Sequence, residues 1–321
     1  MLARSLAALL FAAAAACAPA TFAQAWPTQP IKVVVGFPPG GVADAIPRYL
    51  QSVLKDSLGQ PIVVENKPGG AGIIAMEAIA KATDSHTVGI MTLQNLIVPA
   101  TGASLSYDAR KDLVGIVLFG KTASVLTVHT SLPIKSVAEL VAYAKANPGQ
   151  LAFATSGNAT GQHFATESLR LGANIDIIHV PYKGVAPAYS DVLTGRVPVM
   201  FMTYGSGKQH WESGKVRALA VSTPARFSLM PELPTIAEAG VSGYEYTPWY
   251  GVFAPAGLPK PIAARLVQAF NKALSDAGLH DKLSQQGLEV QPMTSEQFAG
   301  LVRDDVARWE KIIRDVGVRA D

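Results

Sequence analysis

Short runs of β-branched and aliphatic residues alternate with helix-length segments, and most runs end in a junction of glycine, proline or small polar residues. Ile31 to Phe37 (IKVVVGF) reads as a buried strand, and Pro61 to Glu65 (PIVVE) and Val88 to Thr92 read as the next two strands. They are separated by helical patterns over Ala43 to Leu58 and Ile73 to Ala82. Pro47 falls in a first helical turn, where the missing N–H costs little. This strand–helix–strand order, repeated, predicts an α/β fold with mainly parallel sheets.

A second set follows. Strands are expected at Val125 to Val128, Leu151 to Ala154, Ile175 to Val180, Val197 to Met202, Val216 to Val221 and Trp249 to Ala254. Helices are expected from Ser136, with Glu139 completing a capping box, to Ala146, and over Thr160 to Leu171 and Ala186 to Leu193. Two more span Pro261 to Ser275 and Glu296 to Val316. Two α/β sets and a helical tail imply two lobes around a cleft. The division expected is a first lobe of 26–124 plus 250–321 and a second of 125–249.

The first 25 residues read as an export signal. Arg4 supplies the positive start, Leu6 to Cys17 is an apolar run too short to span a bilayer, and Ala23-Gln24-Ala25 fits a cleavage site. The alternative is lipidation at Cys17, but Ala14-Ala15-Ala16 lacks the large aliphatic residue such sites carry. Once the signal is removed the chain has no cysteine, which excludes disulfides, thiolate catalysis and cysteine-rich metal sites. The 27 basic and 24 acidic residues leave a net charge of only +3, too small for a nucleic-acid footprint.

The strand-end junctions carry the candidate chemistry. Phe37-Pro38-Pro39-Gly40-Gly41 places backbone N–H groups at a helix start, where an anion is favoured; an ordinary βα turn is the bland alternative. Around this loop there is neither a dinucleotide fingerprint nor Walker spacing. Thr155-Ser156-Gly157-Asn158-Ala159-Thr160 offers neutral hydroxyl and amide donors at another junction, with helix capping as the competing and compatible role. His163 and Glu167 share a helix face, for which a structural hydrogen bond explains more than a metal site. No serine elbow, zinc motif or catalytic constellation is present, so neither an enzyme nor a cofactor is expected.

Taken in order, GFPPGGVAD (36–44), LGQPIVVENKPGGAG (58–72), YDARKDLVGI (107–116), KSVAELVAYAKANPGQLAFATSGNATGQH (135–163), HVPYKG (179–184), GKVRALAVST (214–223), LPTIAEAG (233–240) and YGVFAPAGLP (250–259) resemble the tripartite tricarboxylate transporter receptors, or Bug family. The resemblance implies a periplasmic, monomeric receptor with the two-lobed class II binding-protein fold. It implies a small organic carboxylate as ligand, delivered to the membrane permease subunits. A receptor feeding a membrane sensor kinase is the alternative. The implied site comprises Phe37, Pro39, Gly40, Gly41 and Asp44 of the first stretch, and Thr155, Ser156, Asn158 and Thr160 of the fourth, with Tyr182. By topology Gln94 and Asn95 form a third wall and Met202, Thr203 and Tyr204 a fourth. Compared with the family, Val42-Ala43 lack a frequent hydroxyl, Pro47 replaces alanine, and Pro198 and Met202 stand where aspartate is common. That pattern favours an aliphatic or aromatic carboxylate over an amino acid.

The mature chain is expected to begin at Trp26 without lipid. Mass spectrometry of exported protein checks this; diacylated Cys17 at the N-terminus would contradict it.

Overall fold

The computed structural model describes residues 26–317; the export signal and Cys17 lie outside them. The strands are β1 (Ile31–Val35), β2 (Ile62–Asn66), β3 (Thr87–Thr92), β4 (Leu113–Lys121), β5 (Ser124–His129), β6 (Ala152–Thr155), β7 (Ile178–Pro181), β8 (Val199–Thr203), β9 (Val216–Val221) and β10 (Trp249–Pro255). The α-helices are α1 (Val42–Leu58), α2 (Ile73–Ala80), α3 (Leu93–Ile97), α4 (Val137–Ala146), α5 (Gly161–Ala173), α6 (Val185–Leu193), α7 (Tyr204–Glu212), α8 (Lys260–Leu274), α9 (Ala277–Gln285) and α10 (Ser295–Val316).

They build two five-stranded sheets on one plan. The first has the order β2-β1-β3-β10-β4 and the second β7-β6-β8-β5-β9. In each, the fourth strand runs antiparallel to both neighbours: β10 against β3 and β4, β5 against β8 and β9. That strand is in each case the first after the chain has crossed from the other sheet, at Thr122-Ala123 going out and at Pro248 coming back. The remaining pairs, β1 with β2 and β3, and β6 with β7 and β8, are parallel. Parallel pairing points the carboxyl ends of β1, β2 and β3 one way, and likewise those of β6, β7 and β8. The helix-opening loops are collected there.

The long tail helix α10 locks onto the first sheet. It opens with the expected box: Gln297 N–H donates to Thr294 Oγ1 at 3.2 Å, and Thr294 N–H to Gln297 Oε1 at 2.9 Å. Phe298 then enters a gap made by two glycines on adjacent strands. A Cβ on Gly115 would lie 2.8 Å from its ring, and one on Gly251 2.5 Å. The ring meets Trp249 edge-on at 5.6 Å and Phe253 at 5.4 Å. Farther along, Trp309 reaches the second lobe, 6.0 Å from Phe164 of α5 and 5.4 Å from Tyr246.

Three helices and a strand were not anticipated. β4 reads LVGIVLFGK, and its glycines break the strand pattern because neighbouring atoms fill their side-chain space: Phe298 at Gly115, and the Glu289 backbone 2.6 Å from a Cβ at Gly120. α7 (YGSGKQHWE) contains two glycines, and α3 is only five residues long. α9 is short, though Asp276 caps it through Leu279 N–H at 2.8 Å. In the expected strand Ile175 to Val180, only the end pairs, as β7.

Phe298→Ala is expected to cost about 3–5 kcal/mol, since the cavity it leaves is lined by a rigid sheet. Urea unfolding of both proteins measures this; a loss below about 1 kcal/mol would mean that α10 is not anchored there.

Candidate functional site

The first loop is shaped by one carboxylate. Asp44 sits in the first turn of α1 with its side chain buried. Its Oδ2 accepts Gly40 N–H at 3.0 Å and Arg48 Nε at 3.0 Å, and its Oδ1 accepts Arg48 Nη2 at 2.8 Å and Asn66 Nδ2 at 2.9 Å. Asn66 also donates to the Phe37 carbonyl at 3.0 Å, which ties the end of β2 to the loop after β1. The Arg48 hydrogen bonds come first among the causes; with those from Gly40 and Asn66 they outweigh burial and hold the Asp44 carboxyl at about 2. Asp44 therefore fixes the loop, with its acceptor positions already engaged. Gly40 carries the positive φ, +94°, whereas Gly41 is extended at −87° with open space where a Cβ would go. Of the two, Gly40 alone requires a left-handed conformation.

The wall after β3 divides its labour. Asn95 Oδ1 accepts Thr92 N–H at 2.9 Å and its amide donates to the Ala71 carbonyl at 3.0 Å, so it is a buried brace. Gln94 reaches across the cleft: its Oε1 accepts Gly161 N–H, the first amide of α5, at 2.9 Å. Gly161 has no room for a side chain, because a Cβ would lie 2.2 Å from the Tyr246 hydroxyl.

In the second lobe, Thr160 Oγ1 donates to Gly157 O at 2.7 Å, Ser156 Oγ donates to Gln162 Oε1 at 2.6 Å, and Thr155 Oγ1 lies 2.6 Å from His179 Nε2. Tyr182 N–H donates to Thr155 O at 3.0 Å, while its hydroxyl donates to Asp191 at 2.6 Å. Burial, then that bond, pushes the Tyr182 phenol up to about 12. Asn158 stands in the same loop.

The fourth wall differs from expectation. Met202 is wholly buried among Ala154, Ala188 and Val192, so it is core rather than cleft lining. Tyr204 packs edge-on to Phe227 at 5.4 Å and turns toward Gly287 of the other lobe. Thr203, half-buried, precedes α7. Nearby polar groups that were not anticipated are Tyr189 and Ser206, whose hydroxyls lie 2.7 Å apart, and Tyr250, whose phenol is pushed up to about 12 by burial and by Tyr189. Asn66, Gly161 and Tyr246 were also missed. Asn66 and Gly161 lie within the quoted stretches 58–72 and 135–163, but nothing in their local pattern marked them out from their neighbours.

A pattern in helix capping links these loops. α1, α2, α5, α6 and α7, which open at strand carboxyl ends, have no side-chain cap at Gly41, Gly72, Thr160, Gly184 and Thr203. α4, α9 and α10, away from those ends, are capped by Ser136, Asp276 and Thr294. Two helices depart from this division: α3, at the end of β3, has a capping box between Thr92 and Asn95, and α8 starts after Pro259 with no side-chain cap. At the uncapped starts the N–H donors are not taken by a cap of their own helix, although Gln94 accepts the first one of α5, which has no acid in its first turn to oppose an anion. Cavities of about 260 Å³ beside Ser57 and Arg265 and about 170 Å³ beside Thr122 and Arg226 lie elsewhere, the former at the far end of α1, roughly 24 Å from Gly41. Gly115 to Thr122 has the G-x-x-x-x-G-K-T spacing of a phosphate loop, but it forms strand β4 and runs on directly into β5.

Two α/β lobes on one topological plan, presenting strand-end loops to each other, define the class of two-lobed periplasmic binding proteins. Residues 46–318 match the tripartite tricarboxylate transporter family receptors, and the chain belongs to that family. It is 36% identical to BugT of Bordetella pertussis, over 97% of this chain and 96% of that protein. Among solved structures it is similar to Rpa4515 of R. palustris with adipate, with a TM-score of 0.82, 32% identity, and coverage of 92% and 99% of the two chains. It is also similar to the periplasmic binding protein BugD (TM-score 0.82, 30% identity, 92% and 99% covered). MatC of Rhodopseudomonas palustris with bound malate has a TM-score of 0.81 and 29% identity, with 90% and 100% covered.

The depressed Asp44 value makes a pH prediction. A carboxyl held at about 2 instead of 3.8 contributes stability on the order of 2 kcal/mol. That contribution is full above the unfolded value and is lost as pH falls toward 2; roughly half has gone at pH 3. The stability gap between the native protein and Asp44→Asn should therefore narrow on acidification from about pH 6 to pH 3. Urea titrations at each pH test this, and a constant gap would show that Asp44 is not the linked group.

Proposed function

We propose that this protein is a periplasmic receptor that captures a small organic carboxylate between its lobes and delivers it to a tripartite tricarboxylate-type permease. The chain is taken to divide into lobes at 26–124 plus 250–321 and 125–249, and to be exported by cleavage after Ala25. The observation that carries the reading is the gathering of helix starts without a side-chain cap at strand ends of both lobes, at Gly41, Gly72, Thr160, Gly184 and Thr203. Backbone N–H groups so placed suit a carboxylate without needing a basic side chain. The bound adipate and malate of the similar structures support the same ligand class.

The ligand contacts are assigned to the Phe37, Pro39, Gly40 and Gly41 loop, Gln94, and the Thr155, Ser156, Asn158 and Thr160 loop. Asp44, Asn95 and Tyr182 act as supports through the bonds already described. With Met202 in the core, the case for an apolar ligand end loses one of its residues. The case against an amino acid gains support from Asp44, whose carboxylate is engaged by Arg48, Asn66 and Gly40 and is not open to an ammonium group.

A melting screen over mono-, di- and tricarboxylates, aromatic acids and amino acids tests the reading. A micromolar ligand at a hundredfold excess over its Kd stabilises the native state by about 2.7 kcal/mol. Gly41→Val should fold normally, because position 41 is extended with open space for a Cβ, yet weaken binding by crowding the N–H groups. A folded Gly41→Val protein with unaltered affinity, or glutamate outcompeting every unaminated acid, would overturn the site or the ligand class respectively.

A further inference from the structure

Two histidines lie beneath the second-lobe loop and touch both of its ends. His163, in the first turn of α5, is buried, and its Nδ1 accepts Ala159 N–H at 3.1 Å. His179, from β7, stacks on it with ring centroids 4.0 Å apart and planes 16° from parallel. The His179 Nε2 lies 2.6 Å from Thr155 Oγ1, which also receives Gly157 N–H at 3.3 Å. Between these anchors Ala159 holds a φ of +53°, a left-handed conformation that an alanine adopts only when its surroundings impose it.

We propose that the His163–His179 stack is a positioning pair that holds the 155–160 loop in its ligand-binding shape only while His163 is neutral. This rests on the carboxylate-receptor reading. Neutral His163, accepting at Nδ1, carries its proton on Nε2. A second proton enters at Nδ1 and sets two donors, the ring N–H and the Ala159 N–H, against each other. The bond that holds Ala159 is then lost, and α5's opening amides lose their fixed direction. A proton on His179 Nε2 has no such effect, because it faces the Thr155 oxygen, an acceptor. Two rings at 4.0 Å do not readily carry charge together, so the first proton taken decides the state.

The titratable groups around the pair are few. Glu167, one turn along α5, is held by Arg170 at 2.7 Å. After β7 come Tyr182, held by Asp191, and the exposed Lys183. Tyr246 approaches from beyond Gly161, its phenol raised by burial. Glu167 is thus already paired.

The experiment uses the mature chain, adipate as probe, and the variants His163→Asn and His163→Phe. The asparagine would keep an acceptor near the Nδ1 position but take no proton, and the phenylalanine would keep the stack without an acceptor. In the ligand-free native protein, nitrogen NMR from about pH 8 to pH 5.5 should show the Ala159 amide shifting with the same midpoint as the His163 ring, with lower protection against exchange, relative to the intrinsic rate at each pH, below it. Adipate affinity by calorimetry should fall by about tenfold per pH unit below that midpoint. In His163→Asn only the adipate's own weak pH dependence should remain, and His163→Phe should bind poorly at every pH. An Ala159 amide that ignores the titration of His163, or a His163 ring that stays neutral to about pH 5.5, overturns the proposal. So does His163→Asn keeping the native pH profile. Absence of adipate binding at about pH 8 counts against the ligand reading alone, since the NMR arm decides the pair without ligand.

Discussion

An α-helix leaves its first N–H groups without partners, and that constraint organises this protein. Each lobe is a sheet whose parallel strands feed helices from one edge, so unpaired donors accumulate where the lobes meet. Away from that edge Ser136, Asp276 and Thr294 each take an amide of their own helix, while α8 starts after Pro259 without a cap. At the strand ends Gly41, Gly72 and Gly184 and the threonines Thr160 and Thr203 stand at the cap position without capping, and Thr92 alone forms a box, with Asn95. Thr160 has the right hydroxyl for a cap but directs it to Gly157 O. The donors are left for water or for a ligand.

Such donors are useful only if they are held still, and buried polar side chains do this on both sides. In the first lobe Asp44 gathers Gly40, Arg48 and Asn66 around one carboxylate, which places a negative charge near the start of α1. In the second lobe the supports are the hydroxyls of Thr155, Thr160 and Ser156 and two stacked imidazoles, with no carboxylate among them. The electrostatic balance therefore differs between the walls. α5 offers the more favourable seat for an anion, because no acid occupies its first turn. The tail helix makes this seat part of a larger frame, since Phe298 fixes α10 to the first sheet and Trp309 meets Phe164 of α5.

Much of this was legible in the sequence, for reasons that can be named. The run IKVVV marks a buried parallel strand and IVVE a parallel strand at the sheet edge, where only Ile62 is buried, and Ser136 and Thr294 open helices as their boxes imply. The strand β4 was hidden because Gly115 and Gly120 answer to Phe298 and Glu289, contacts made with distant parts of the chain that no local pattern reveals. The site was legible as a set of junctions but not as a division of roles. Asp44, Asn95 and Tyr182 have the chemistry of ligand contacts, yet each already has an internal partner. Met202 shows the limit most clearly: at a strand end its side chain can face either layer, and only the packing of Val192 and Ala188 from α6 assigns it to the core.

The contact between Gln94 and Gly161 connects capture to the arrangement of the lobes. Its amide oxygen occupies the first N–H of α5 from the opposite wall, 2.9 Å away. An anion that takes this donor must replace a neutral acceptor, and charge-assisted hydrogen bonds are roughly twice as strong as neutral ones. On the proposed function the exchange would favour a carboxylate and leave Gln94 held by its own amide, which donates to the Ala71 carbonyl at 3.3 Å. Because Gln94 belongs to the first lobe and Gly161 to the second, the same exchange would convert a direct bond between lobes into one made through the ligand. The lobes also meet through Trp309 against Phe164 and Tyr246, so capture would change one contact inside the cleft while that aromatic contact stays as a pivot beside it.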